Sequence, residues 1–180
     1  MSEQDWIRNI HDGDESAFEA MFRSYFDKLT AFAFSYVGSR DRAEDVVEDV
    51  FFNIWRARET WEVSGSLRAY LYTATRNQAL NARKRLGLER RHLEMVASQP
   101  PRRASPADAE MLGEEARAAA EQAIAGLPER CREIFLLHRE HNLSYAEIAA
   151  ATGVTTKTVE NQLGRAVKLL REKLWGFLNP

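Results

Sequence analysis

Apolar residues recur along this chain at three- and four-residue steps almost from end to end, a period that excludes most folds before any motif is considered. Phe18, Met21, Phe22, Tyr25, Leu29, Phe32 and Tyr36 form one such series after the acidic start DGDES, and Gly38 is placed to end that helix. A second helix is expected over about Asp41 to Glu59, with Ala43, Val46, Val47, Val50, Ile54 and Ala57 on one face. A third, about Ser66 to Arg85, turns Leu67, Leu71, Ala74 and Ala82 inward. Three such helices can share one small core. No segment alternates like a strand, and no repeat recurs.

The period is lost in LGLERRHLEMVASQPPRRASPADAEMLG, which gathers Ser98, Pro100, Pro101, Ser105 and Pro106 and reads as a solvated linker. Beyond it an alanine-rich helix runs from Glu114 to Ala125, and Pro128 suits the first turn of another that ends near Glu140. The expected fold is all-α: two small helical domains, residues 1–88 and 114–180, joined by a flexible linker over 89–113.

The last segment, SYAEIAAATGVTTKTVENQLGRAVKLLREKL, has the pattern of a helix-turn-helix. Ser144 and Glu147 fit a capping box, Ile148 and Ala149 supply apolar contacts, and Gly153 stands where the first helix needs positive φ. Val154 packs the turn and Thr155 can cap the last helix, whose Val159, Leu163, Ala166, Leu170 and Leu174 form one apolar stripe. Opposite that stripe lie Lys157, Asn161, Gly164, Arg165 and Lys168. Amide and cationic groups on the outer face, led by the N-terminal turns, are what a helix needs to read a major groove.

The net charge of −2 gives no overall pull towards nucleic acid, but the charges are unevenly placed. Glu44, Asp45, Glu48 and Asp49 form an acidic run, and Arg83, Lys84, Arg85, Arg90, Arg91, Arg102 and Arg103 crowd the middle. In AEDVVEDVFFNIWRARE the 3.6-residue turn sets Phe52 opposite the buried stripe, beside Asp45, Glu48, Asp49 and Arg56. A large aromatic among acids on a solvent face suits a docking surface, though a single exposed apolar residue is also common. In SLRAYLYTATRNQALNARKR, Arg68, Tyr72, Arg76 and Arg83 fall within an arc of about 80°. Such a strip can hold phosphates by charge and bases by stacking. Trp61, just before it, either serves that surface or closes the core.

These segments resemble, in order, three motifs of the extracytoplasmic-function sigma factors, small bacterial members of the sigma-70 family. AEDVVEDVFFNIW resembles the polymerase-docking helix, SLRAYLYTATRNQALNARKR the minus-ten element helix, and the chain from LPERCREIF onward the minus-thirty-five element domain. The resemblance covers nearly the whole chain. It implies a region 2-like and a region 4-like domain acting with core RNA polymerase on promoter DNA, without a cofactor, and held in check by an anti-sigma factor. It implies that Asp45, Glu48, Asp49 and Phe52 meet the clamp helices of core polymerase. Arg76, Asn77 and the cluster Arg83, Lys84 and Arg85 match the family's positions that hold opened minus-ten DNA, where a base leaves the stack, and Arg68 and Tyr72 of the strip, with Trp61, are candidates for the same surface; the role of Asn77 rests on the resemblance alone. The resemblance gives the last helix to the minus-thirty-five element, with Thr156, Lys157, Glu160, Asn161, Arg165 and Lys168 as the candidate contacts. The family often has Gln at the place of Glu48 and basic residues at those of Glu160 and Gln162, so its docking mode is carried over but its usual minus-thirty-five sequence is not. About 25 linker residues reach roughly 80 Å when extended, more than the roughly 55 to 60 Å between elements about 17 base pairs apart.

Other classes fit less well. His138, Glu140 and His141 lack the spacing of a metalloprotease helix, and Cys131, three and four residues before Ile134 and Phe135, reads as core. The N-terminal half has no strands for a phosphate-accepting receiver. A single cysteine excludes an internal disulfide, and MSEQDWIRNIHDGDE has neither the basic start nor the apolar core of a signal peptide. With no membrane-length run, a cytoplasmic protein is expected.

Overall fold

The computed structural model describes residues 2–94 and 113–178 and separates two compact units, Met1–Gln99 and Pro100–Pro180. Among the described residues every regular element is helical. The first unit holds α1 (Glu3–His11), α2 (Glu15–Val37), α3 (Arg40–Arg56), a 3-10 turn (Arg58–Thr60) and α4 (Leu67–Glu94). The second holds α5 (Gly113–Ala125), α6 (Glu129–Arg139), α7 (Tyr145–Thr152) and α8 (Thr156–Leu178).

In the first unit α2, α3 and α4 pack on one another and α1 lies against them. Asp14 starts α2 by accepting from the amides of Ser16 (2.8 Å) and Ala17 (3.2 Å), and Gly38 ends it at φ 68°, as the sequence indicates. Met21 and Leu29 of α2, Val47 and Phe51 of α3, and Leu67, Leu71 and Tyr72 of α4 are buried together. Each contributes about 1.5–3 kcal/mol by leaving water.

Two expectations need correction, and one helix is additional. α1 was not foreseen: Ser2 and Asp5 cap it reciprocally, Ile10 is fully buried, and the Tyr25 hydroxyl donates to Glu3 Oε1 at 2.6 Å. α4 runs nine residues past Arg85, to Glu94, and so enters the span assigned to the linker, whose last residue, Gly113, begins α5; residues 95–112 lie outside the described residues. On α3, Ala57 is exposed rather than part of the inner stripe, because the helix has ended at Arg56.

The second unit forms as the sequence indicates. Ser144 and Glu147 make the capping box of α7, Gly153 closes it at φ 69°, and Thr155 Oγ1 accepts from the Thr158 amide at 3.1 Å to start α8. Val159, Leu163, Ala166 and Leu170 of α8 are buried, against α5, α6 and α7, while Leu174, expected on the same stripe, is only half-buried. Cys131 is also fully buried, its Sγ 3.3 Å from the Gln162 carbonyl oxygen. Burial pushes that thiol's pKa up, with nearby Arg165 pulling the other way.

Candidate protein and nucleic-acid interfaces

The outer face of α3 carries Asp45, Glu48, Asp49 and Phe52, all exposed and within an arc of about 100°. Phe52 is 62% exposed, and the Arg56 guanidinium lies over its ring, 5.7 Å from the centroid. Val46, Val47, Val50 and Ile54 anchor the opposite face, which fixes the direction in which Phe52 points. An aromatic left in water on so well-anchored a helix costs solvation free energy until something covers it.

Of the strip expected on α4, Arg83 is exposed, but Arg68, Tyr72 and Arg76 do not stand free in solvent. Tyr72 is 1% exposed and its ring lies 5.1 Å from that of Phe32. The reason is geometric. Fully buried Thr75 and Ala79 lie about 20° to either side of Arg68 around the helix, so the arc holding Arg68, Tyr72 and Arg76 is the one facing α2. α4 packs against both α2 and α3, which makes its buried arc wide: Leu67 and Leu71 lie in it as expected, while Ala74, at its edge, and Ala82, beyond the last fully buried residue, are only half-buried. Arg68 and Arg76 are half-buried. Arg68 is close enough to Tyr25 to oppose the rise in that hydroxyl's pKa, a rise caused first by burial and then by the bond to Glu3.

Trp61 is likewise a core residue, 6% exposed and edge-on to Tyr70 at 5.8 Å. Of the two readings of this tryptophan, closing the core is the one observed. It borders an open groove of about 360 Å³ lined by Gln4, Ile7, Arg8, His11, Val63 and Gly65. What α4 does present is Asn77, on the side away from the core, and Arg83, Lys84 and Arg85, beyond the last buried residue Ala79; all four are exposed. A basic cluster there can meet phosphates.

On α8, Thr156, Lys157, Glu160, Asn161, Arg165 and Lys168 are all exposed, opposite the buried stripe. Lys157 Nζ and Glu160 Oε2 pair at 2.8 Å, which reduces the positive charge of the leading turns. A side chain added at Gly164 would meet nothing within 4 Å, so the interior does not require glycine there.

Two residues that support these surfaces escaped sequence reasoning. Gln78 of α4 donates to Asp49 of α3 at 2.8 Å, and Arg130 of α6 donates through Nη2 to the Thr152 carbonyl at 2.6 Å. The second bond satisfies the open C-terminal end of α7 beside the turn of the motif. Both are pairings between elements, for which one sequence carries no local signal.

Among the described residues no His, Cys, Asp and Glu side chains converge as metal ligands, and no helix is long and apolar enough to cross a membrane. His138 packs edge-on against Tyr145, 5.5 Å away.

Comparison with known proteins places both units. The model "Sigma-70 region 2" matches residues 21–89 and "Sigma-70, region 4" matches 117–170, together about two thirds of the chain. The chain is 26% identical to the ECF RNA polymerase sigma-E factor of Escherichia coli K12, over 97% of this chain and 95% of that protein. It is 28% identical to the ECF RNA polymerase sigma factor RpoE of Cereibacter sphaeroides, over 94% and 95%. Its structure is similar to that of the sigma factor RpoE of Bartonella quintana in complex with the anti-sigma factor NepR. That match has a TM-score of 0.65 and 26% identity and covers 87% of this chain and 96% of the other. The fold is also that of CnrH, solved with the cytosolic domain of CnrY, at a TM-score of 0.68 and 22% identity over 95% and 96%. With regions 2 and 4 both matched, in order, over about two thirds of its length, this chain belongs to the sigma-70 family, as an extracytoplasmic-function sigma factor.

Proposed function

We propose that the two units divide the work of a promoter-specific initiation factor between polymerase docking with strand opening and duplex reading. In this reading α3 docks core RNA polymerase, with Phe52 entering an apolar pocket while Asp45, Glu48 and Asp49 meet basic residues around it. Interfacial burial gives such ion pairs a strength they lack in water. Asn77 and the cluster Arg83, Lys84 and Arg85 engage opened minus-ten DNA. Trp61, Tyr72 and the half-buried Arg68 and Arg76 support α4 from within.

The N-terminal turns of α8 enter the major groove of the minus-thirty-five element, Asn161 reading base edges and Lys157, Arg165 and Lys168 meeting phosphates. The protein itself catalyses nothing; polymerase supplies the chemistry. It therefore works in the cytoplasm, where polymerase and chromosome are. An anti-sigma factor, the kind of partner found with the Bartonella quintana relative, covers these faces when the protein is silent.

The observation that carries the reading is Phe52, 62% exposed among acids on one unit of a chain whose other unit holds a helix-turn-helix capped at its turn. Run-off transcription from a pool of genomic promoter fragments, with core polymerase and with or without this protein, tests it. New starts sharing two spaced upstream motifs are expected. No new starts, despite binding of duplex DNA, would make the protein an ordinary regulator instead.

A further inference from the structure

The acids of α3 are not held alike. Arg40 Nε lies 2.8 Å from Glu44 Oε1 one turn along the same helix, so that carboxylate's charge is cancelled in place. Asp49 Oδ2 instead accepts from Gln78 Nε2 at 2.8 Å, a bond between α3 and α4 that spans 29 residues of sequence. Gln78 is half-buried and Asp49 exposed, so the amide is the anchored partner and the carboxylate the one being held. An amide donor orients a carboxylate while leaving its full charge, and its second oxygen, for an incoming cation.

We propose that Gln78 is a positioning residue for polymerase docking, fixing the Asp49 carboxylate on the face that carries Phe52 without neutralising it. The inference rests on the docking reading of α3. An exposed carboxylate otherwise samples several rotamers, and an interfacial ion pair must freeze one of them. A bond already made from α4 removes part of that cost before encounter. Gln78 also follows Asn77 directly, so the bond joins the docking face to the turn of α4 that presents Asn77.

The test titrates core polymerase into the labelled full-length protein at several salt concentrations, and follows thermal unfolding of each free variant. Gln78→Leu is expected to weaken core affinity about three- to tenfold, the scale of one modest hydrogen bond, with the unfolding midpoint unchanged. Gln78→Lys, which would cancel Asp49 as Arg40 cancels Glu44, is expected to weaken binding further and to flatten its salt dependence. In an Asp49→Asn background Gln78→Leu should add nothing. An equal loss in that background, a midpoint that falls with the affinity, or wild-type affinity for Gln78→Leu while Asp49→Asn weakens binding would each overturn the inference but leave the docking reading intact. If Asp49→Asn and Phe52→Ala both bind core polymerase like the wild type, the docking reading itself fails.

Discussion

The ring of Tyr72 sits 5.1 Å from that of Phe32 at an angle of 58°, so α4 turns this aromatic towards α2 and away from solvent. Tyr72→Ala should therefore destabilise the first unit by about 3–5 kcal/mol, as for other large core truncations. Urea unfolding followed by near-ultraviolet circular dichroism measures it. Asn77→Ala, at an exposed position, should change stability by no more than about 0.5 kcal/mol while impairing strand opening, read by permanganate footprinting of a cognate promoter. A Tyr72→Ala protein that is stable but fails to open DNA would restore the stacking role.

The same pair shows how far the sequence can be read. Periodicity places a residue on an arc of its helix, but which arc faces the core depends on how many neighbours the helix has. α3 offered an unbroken valine and isoleucine face, so Phe52 could be assigned outward. α4 mixes leucine, alanine, arginine and tyrosine, and the sequence reading set its inner face on Leu67, Leu71, Ala74 and Ala82; the two leucines are buried, but packing against both α2 and α3 also drew in Tyr72, Thr75 and Ala79. The second unit was legible because its signals are local: Ser144 with Glu147, then Gly153, then Thr155. α1 was missed because its capping box uses Asp5 in a stretch where Ile10 is the one fully buried residue. The Gln78–Asp49 and Arg130–Thr152 bonds have no local sequence signal at all.

Phe52 separates binding from folding. At 62% exposure it contributes little to the core, so Phe52→Ala should leave the unfolding free energy within about 0.5 kcal/mol. An aromatic that fills a partner's pocket is worth about 2 kcal/mol or more, or roughly a thirtyfold loss of affinity for core polymerase. Fluorescence titration with core enzyme reads the loss. Unchanged affinity would remove this residue from the docking face.

Two glycines of the second unit should respond in opposite directions. Gly153 sits at φ 69°, where a Cβ is strained, so Gly153→Ala should cost about 1–2 kcal/mol and weaken promoter binding through the motif's turn. Gly164 lies within α8 with open space around it, so Gly164→Ala should gain about 0.5–1 kcal/mol from helix propensity. If the backbone approaches DNA closely there, the same variant loses affinity for the minus-thirty-five element despite its added stability. Paired calorimetry and mobility-shift titration resolve the two effects, and a Gly164→Ala protein that binds as tightly as wild type would show that this turn stays clear of the duplex.

Acid should loosen the first unit through its helix caps. The Asp5 carboxyl is held below the ordinary 3.8 chiefly by the Ser2 backbone N–H, and the Asp14 carboxyl chiefly by the Ser16 hydroxyl, with the Ala17 amide next. A carboxyl whose pKa is lower in the folded protein binds protons more tightly once the chain unfolds, so stability rises with pH across that range. The caps' contribution is therefore complete above pH 3.8 and is lost as pH falls through the lower folded values. Asparagine caps about as well as aspartate but does not titrate. Asp14→Asn should thus match the wild-type melting temperature near neutrality and fall less steeply below pH 3.8, as scanning calorimetry would record; curves that stay parallel throughout would mean that another group governs acid unfolding.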